Sequence, residues 1–329
     1  MIFKLLRAVG SLLVVLMACN QGWAADLNLP FGVELGGYAT ARAQQNRHGN
    51  AEAALDEVSF ILKWDSQQRV KLFAEIELEQ PMHWAEGSAF KTTDSYVDIE
   101  RLYGDYAFND QFVVRGGRFL TPIGRWNQLH ASPLVWTTSR PVATSQLFPM
   151  ALNGLMLHGV KPFNDAGLEY SVFVETLKDQ REDLHEIKFR NTRGARAMYT
   201  GLADIGMTYM EFDEKEFIHR DYRMLSADFF KAYQGWEFSG EAFFREDKQT
   251  HESSGGGYLQ AVAPLGYQWF AVGRLETFNA SGAETVERGV LGLTWRFKQN
   301  QLFKIEYAGG HQENPHMPSG VLTSIAILF

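Results

Sequence analysis

The chain has 329 residues, of which 45% are hydrophobic and 13% aromatic, and it contains 30 glycines but a single cysteine. Its 39 acidic residues outnumber its 31 basic residues, which gives a net charge of −8. This acidic balance argues against a nucleic-acid-binding protein, and one cysteine excludes an internal disulfide or a cysteine-ligated metal cluster.

The first 24 residues have the pattern of a secretory signal peptide. Lys4 and Arg7 precede an apolar core over residues 9–18, and small residues follow up to Ala24. The apolar core is too short for a membrane-spanning helix. We therefore predict export from the cytoplasm, with cleavage after Ala24.

Cleavage at this point defines a mature chain, residues 25–329, which we predict to form one domain. The mature chain lacks the only cysteine, so disulfides, thiolate metal sites and covalent haem attachment are excluded. It keeps 29 basic and 39 acidic residues, so its net charge is −10. The residues before Cys19 also resemble a lipoprotein box, and this alternative makes Cys19 a lipidated N-terminus.

Several segments of the mature chain alternate apolar and polar residues with a period of two, which is typical of β-strands. A membrane-spanning strand needs roughly 9–11 residues with one apolar face. Charged residues on the other face are tolerated where they meet water, so we predict a wet interior. The predicted lumen-facing residues are Lys71, Glu75, Glu77, Glu237, Glu241, Arg245, Arg274, Glu276, Lys304 and Glu306.

Short and long polar connections alternate along the chain. The short ones contain turn residues and lie at Asp65–Gln68, Asn109–Asp110, Pro162–Ala166, Thr200–Ala203, Ala232–Gly235, Pro264–Tyr267 and Lys298–Asn300. The long ones lie at Gln44–Ala53, Gln80–Thr93, Thr121–Met150, Leu177–Glu186, Asp213–His219, Asp247–Gly256, Asn279–Thr285 and His311–Pro318. Seven short turns and eight long loops predict an all-β transmembrane barrel of sixteen antiparallel strands, with fourteen or eighteen as alternatives.

The third long loop, Thr121–Met150, is the longest, and its prolines prevent it from continuing a strand ladder. Residues 111–164 contain no aspartate or glutamate but five lysines or arginines. Sixteen strands enclose an aqueous channel, and we predict that this loop folds inward and narrows it. The predicted constriction residues are Arg115, Arg118, Arg125, His130 and Arg140.

Two roles are open for these basic residues. Positive groups at a narrow point with low-dielectric walls raise the local concentration of anions. In the alternative, the arginines pair with acidic wall residues such as Glu75, Glu77, Glu241 or Glu276 and hold the loop in place. Both roles can coexist.

The last residues of the chain form one more alternating strand. Apolar residues and a threonine share one face from Val321 to the final residue, Phe329. In a soluble sandwich such an apolar edge would invite aggregation. A terminal aromatic strand resembles the assembly signal of outer-membrane barrels, so we predict that Phe329 serves assembly in the outer membrane of a Gram-negative bacterium.

The run RGGRFLTPIGRWNQLHASPLVWTTSRP resembles a segment of the phosphate-selective porin O/P-like family. The matching positions are Arg115, Gly117, Pro122, Gly124, Asn127, His130 and Pro133. The resemblance implies a sixteen-stranded outer-membrane porin, either a homotrimer or a monomer. It does not imply phosphate selectivity, which needs a ladder of lumen arginines and a lysine cluster where this chain has inward glutamates.

These patterns predict a porin, that is, a water-filled channel in outer-membrane lipid for passive diffusion of small hydrophilic or anionic solutes. The alternative is a barrel that acts as a scaffold or sheath for a periplasmic or surface partner such as a cytochrome. We expect no enzyme activity, cofactor or metal site, because His158 has no identifiable catalytic partners and isolated loop histidines are usually solvated.

Overall fold

The computed structural model describes residues 28–29, 32–47, 49–93, 95–129, 131–177, 189–214, 220–280, 284–310 and 319–329 of the chain. Its strands are β1 (Asn28–Leu29), β2 (Val33–Asn46), β3 (Ala51–Asp65), β4 (Val70–Ala85), β5 (Tyr96–Asn109), β6 (Phe112–Leu120), β7 (Ala151–Phe163), β8 (Ala166–Glu175), β9 (Phe189–Thr200), β10 (Asp204–Glu214), β11 (Arg220–Tyr233), β12 (Trp236–Asp247), β13 (Ser253–Gly266), β14 (Trp269–Asn279), β15 (Val286–Lys298), β16 (Gln301–Gly310) and β17 (Gly320–Leu328).

Strands β2 to β17 form a closed antiparallel barrel. Each strand pairs with its neighbours in sequence, and β17 pairs with β2 to close the sheet. The short β1 adds two residue pairs to β2. The predicted count of sixteen barrel strands is therefore confirmed, and an even number places the start of β2 and the end of β17 at the end of the barrel that carries the short turns.

Side chains alternate between the outer surface and the lumen of the barrel. On β14, Leu275 points outward and is 70% exposed, whereas Arg274 and Glu276 point inward and are 1% and 6% exposed. On β4, Ile76 points outward between the buried Glu75 and Glu77. The outer wall is consequently apolar and the inner wall polar, which suits lipid outside and water inside.

The longest loop, between β6 and β7, lies inside the barrel. It contains two 3₁₀-helices, Trp126–Gln128 and Ser132–Leu134, and one short α-helix, α1 (Ala143–Gln146). Apolar side chains of this loop pack on apolar residues of the inner wall, in a cluster that includes Ile123, Leu147, Phe148, Phe173, Met210, Phe212 and Phe243. No helix in the described part of the chain is long and apolar enough to cross a membrane.

The final residue closes the seam between β17 and β2. The Phe329 N–H donates to the Gly37 carbonyl (2.9 Å), and the Gly37 N–H donates to the Phe329 carbonyl (2.8 Å). The Phe329 ring meets the Phe60 ring edge to face at 6.2 Å. A Cβ on residue 37 would lie 2.8 Å from this ring, so only glycine at this position leaves room for the Phe329 ring.

We expect Phe329→Ala to reduce the yield of assembled barrel severalfold, because the partly buried ring contributes about 1–2 kcal/mol of apolar burial at the seam. Phe329→Tyr keeps the ring and serves as the matched control. The measurement is the folded fraction on gels run with and without heating. Equal folded fractions for the alanine variant and the unmodified chain would contradict a role in assembly.

Candidate functional site: the inward loop and the lumen wall

Wall glutamates on one half of the barrel bind the inward loop. The donors are mostly backbone N–H groups of the loop, which lack partners in regular secondary structure, and charge-assisted bonds of this kind are strong. The bonds run to Glu241 from Trp126 N–H (2.6 Å), to Glu276 from Val142 N–H (3.1 Å), to Glu306 from Thr138 and Ser139 N–H (2.9 and 2.8 Å) and to Glu237 from the Trp136 indole N–H (2.6 Å).

Two wall cations bind the same loop through its oxygens. Arg274 donates to the Thr137 hydroxyl (2.6 Å) and to the carbonyl and hydroxyl of Ser139 (3.0 and 2.7 Å). Lys304 donates to the Ser132 carbonyl (2.6 Å). Charged residues of both signs on β12, β14 and β16 thus bind the loop, and the loop lies against this half of the inner wall.

Asn127 ties the two ends of the loop together. Its Nδ2 donates to the carbonyls of Thr121 and Met150, each at 2.9 Å, and its side chain is buried. Arg140 donates to the Asn127 Oδ1 (3.2 Å) and to the Thr144 carbonyl (2.9 Å). Asparagine and arginine therefore brace the loop from within.

A glycine allows the closest contact between loop and wall. Gly124 has a φ of +60°, a conformation that favours glycine. A Cβ at this position would lie 1.9 Å from the Glu241 Oε2. Any side chain here would push the Glu241 carboxylate away from the Trp126 N–H.

The predicted constriction residues lie at separate places. Arg115 on β6 binds Asp105 through Nε and Nη2 (2.7 and 2.9 Å) and lies 3.7 Å over the Tyr103 ring. Arg118 donates from Nε to the Ile99 carbonyl (2.6 Å). His130 lies outside the described residues.

Arg125 lies on another part of the lumen. Its guanidinium stacks 3.8 Å from the Phe230 ring on β11. It lines a small cavity of about 60 Å³ together with Trp136 and Glu237. Arg125 and Arg115 therefore lie against different parts of the wall, on β11 and on β5 and β6 respectively.

The remaining predicted lumen residues also have partners in the structure. Lys71 pairs with Asp65 at the short-turn end of the barrel (3.0 Å). Glu75 accepts from Arg101 and from Ser59, the latter at 3.1 Å, and Glu77 accepts from the Tyr38 hydroxyl. Arg245 donates to the Ser254 hydroxyl (2.9 Å).

The wall opposite β12, β14 and β16, where the loop is bound, contains a cavity that was not predicted from the sequence. Its volume is about 240 Å³, and the residues that line it include Arg101, Arg115, His158, Glu169, Ser171 and Arg196. We call it the wall cavity. On the loop side it is bounded by Pro122 and Gln128. Strands β5 to β9 place these polar groups together, whereas the sequence scatters them over about 100 residues.

A closed sixteen-stranded barrel, apolar outside and polar inside, with its longest loop folded into the lumen, has the architecture of the porins. Three solved outer-membrane channels share this fold. They are the anion-selective porin from Comamonas acidovorans (TM-score 0.60, 12% identity, 90% of this chain and 98% of that one), the channel DcaP of Acinetobacter baumannii (0.63, 11%, 92% and 99%) and Salmonella typhi OmpF in complex with daunomycin (0.64, 9%, 90% and 97%).

Sequence comparison finds similarity over a smaller part of the chain. The chain is 30% identical over 132 residues to an uncharacterized protein of Aquifex aeolicus (strain VF5), and the match covers 39% of this chain. It spans 29% of the length of that relative. No family model matches the chain. The comparisons support porin architecture without singling out the phosphate-selective O/P-like family.

Proposed function

We propose that the chain forms a water-filled channel in the bacterial outer membrane for passive diffusion of small hydrophilic solutes. The observation that carries the proposal is the position of the loop. It is bound to the inner wall on β12, β14 and β16, and it leaves polar space against β5 to β9. A loop held to one side narrows a channel without filling it.

The outer surface supports a location in the membrane. A closed barrel satisfies its backbone hydrogen bonds internally, so it can cross a lipid bilayer. Large apolar side chains such as Leu259, Leu275 and Leu291 are mostly exposed on the outer wall. The predicted signal peptide and Phe329 are consistent with export to the outer membrane. The homotrimer implied by the family resemblance remains part of the proposal.

Planar-bilayer recording of the purified protein tests this function. An open pore gives steady conductance steps in salt solution. Absence of conductance from folded protein, together with stable co-purification of a periplasmic partner, would overturn the porin proposal in favour of a sheath or scaffold.

We further propose a preference for anions that originates in the loop. Residues 121–150 carry arginines and no acidic residue. Arg125 is the better candidate for this role, because its guanidinium stacks on Phe230, whereas Arg140 hydrogen-bonds within the loop. A fixed positive charge beside the water path favours anions.

We expect Arg125→Gln to shift the reversal potential in a salt gradient toward cation selectivity by several millivolts. Arg47→Gln removes the same charge from an exposed turn at the end of β2, and it should shift the reversal potential less. An Arg125→Gln channel with an unchanged reversal potential would leave this arginine a structural role only.

A further inference from the structure

A column of stacked planar groups borders the wall cavity and ends in two of its arginines. The Arg101 guanidinium lies 4.6 Å from the Phe73 ring, which is stacked on the Tyr103 ring at 5.2 Å and 9°. The Arg115 guanidinium lies 3.7 Å over the other face of the column, on Tyr103. Cation–π contacts and stacking fix the planes of both guanidinium groups. Their N–H edges are therefore held in a constant orientation.

Each arginine of the cavity is also bound by a carboxylate that is not among the residues lining the cavity. Glu75 binds Arg101, Asp105 binds Arg115, and Asp228 binds both terminal nitrogens of Arg196 (2.6 and 2.8 Å). A guanidinium has five N–H donors, so one carboxylate leaves others unused. Within the described residues, neither terminal nitrogen of Arg101 makes a hydrogen bond, and the same holds for Nη1 of Arg115.

One acidic residue of the cavity has no such partner. Glu169 lies on β8 opposite Val160 and Met198, and its side chain faces the same cavity. It makes no hydrogen bond or ion pair with any described residue. The wall cavity thus contains oriented N–H donors and a carboxylate that has no partner among the described residues.

We propose that the wall cavity is a binding site for zwitterionic solutes of the α-amino acid class on their way through the channel. The guanidinium groups of Arg101 and Arg115 receive the carboxylate of the solute, and Glu169 receives its ammonium group. This inference rests on the proposed porin function and names a solute class for it.

The charge pattern ranks solutes by chemistry. A zwitterion pairs with groups of both signs, whereas a dianion is repelled by Glu169 and a cation is repelled by the three arginines. A neutral polyol gains only neutral hydrogen bonds, which are weaker than charge-assisted ones. The cavity volume of about 240 Å³ equals the share of about eight water molecules, which is enough for a small amino acid. Binding in a channel must also be weak enough for release.

Swelling of proteoliposomes tests the site with serine and erythritol, a neutral solute of similar size. We expect serine to enter through the unmodified channel about threefold to tenfold faster than erythritol. Glu169→Gln should bring this ratio close to one and should raise the entry of lactate, a carboxylate without an ammonium group. Glu287→Gln, on the outer wall, is the control and should keep the ratio of the unmodified channel.

Loss of the barrel is distinguished from loss of the site by these measurements. The opposite changes for serine and lactate are not expected from a generally damaged channel. Arg115→Gln should lower serine and lactate entry together relative to erythritol, and it provides a second variant if Glu169→Gln does not assemble. The site would be overturned if serine and erythritol entered the unmodified channel at equal rates. It would also be overturned if neither substitution changed the ratio of serine entry to erythritol entry. Exclusion of all three solutes would instead overturn the porin function.

Discussion

Replacing Glu306 with alanine should release the middle of the inward loop from the barrel wall. The two oxygens of Glu306 accept from the N–H groups of Thr138 and Ser139 at 2.9 and 2.8 Å. Hydrogen bonds to a charged group contribute about 1.5–3 kcal/mol each. Water in the lumen replaces part of this, so we expect a loss of about 2–4 kcal/mol of loop binding. The single-channel conductance should rise and become noisier.

The control for this variant is Glu287→Ala. Glu287 lies on the neighbouring strand β15, and it is exposed, with its side chain on the outer wall. This substitution removes one negative charge without touching the loop, so conductance and noise should stay as in the unmodified channel. Identical recordings from the Glu306→Ala and Glu287→Ala channels would show that the carboxylate does not position the loop.

Gly124→Ala should detach the start of the same loop. Alanine in the left-handed region costs about 1–2 kcal/mol, and its Cβ would also displace the Glu241 carboxylate from the Trp126 N–H. Loss of that bond adds about 1.5–3 kcal/mol. We expect trypsin to cleave the loop after Arg125 more than tenfold faster, since 1.4 kcal/mol already corresponds to a factor of ten.

Gly87→Ala is a matched control for the backbone cost. Gly87 also has a positive φ, +85°, but a Cβ there meets no atom within 4 Å. It therefore carries the same kind of backbone strain without a steric clash. Equal rates of cleavage within the loop for the two alanine variants would show that the Glu241 contact does not hold the loop.

The barrel could be predicted from the sequence because its determinants are local. Period-two patterns mark the faces of strands such as β14 and β16, and turn residues mark the short connections between them. The count of sixteen follows from these local features alone. Burial of Arg274 and Glu276 beside the exposed Leu275 agrees with the alternation in the sequence.

The period-two pattern did not identify the strand faces where tertiary packing places apolar residues on the inner wall. On β10, Met210 and Phe212 face inward although they are apolar, because they pack on the apolar cluster of the loop. On β4 and β5, the register shifts between Glu75 and Ile76, which interrupts the alternation near Arg101. No face could be assigned from the sequence for the stretches around Arg101 on β5 and around Met210 on β10, so Arg101 was not among the predicted lumen residues.

The anchoring of the loop could not be predicted either. Glu306 and Ser139 are 167 residues apart in sequence, and no local pattern joins them. The basic composition of the loop pointed to arginine–glutamate pairs. In the structure, Glu241 and Glu276 instead bind backbone N–H groups, which every residue except proline carries and which composition therefore cannot reveal.

The proposed function places the loop within an open channel, and a cross-link between loop and wall tests this claim. The hydroxyls of Thr138 and Ser324, on β17, are 2.8 Å apart, close enough for a disulfide between Thr138→Cys and Ser324→Cys. The measurement is the single-channel conductance of the oxidised double variant. We predict complete cross-linking and steady conductance steps equal to those of the reduced protein. A cross-linked barrel that does not conduct, or a loop that cannot be cross-linked, would contradict this claim.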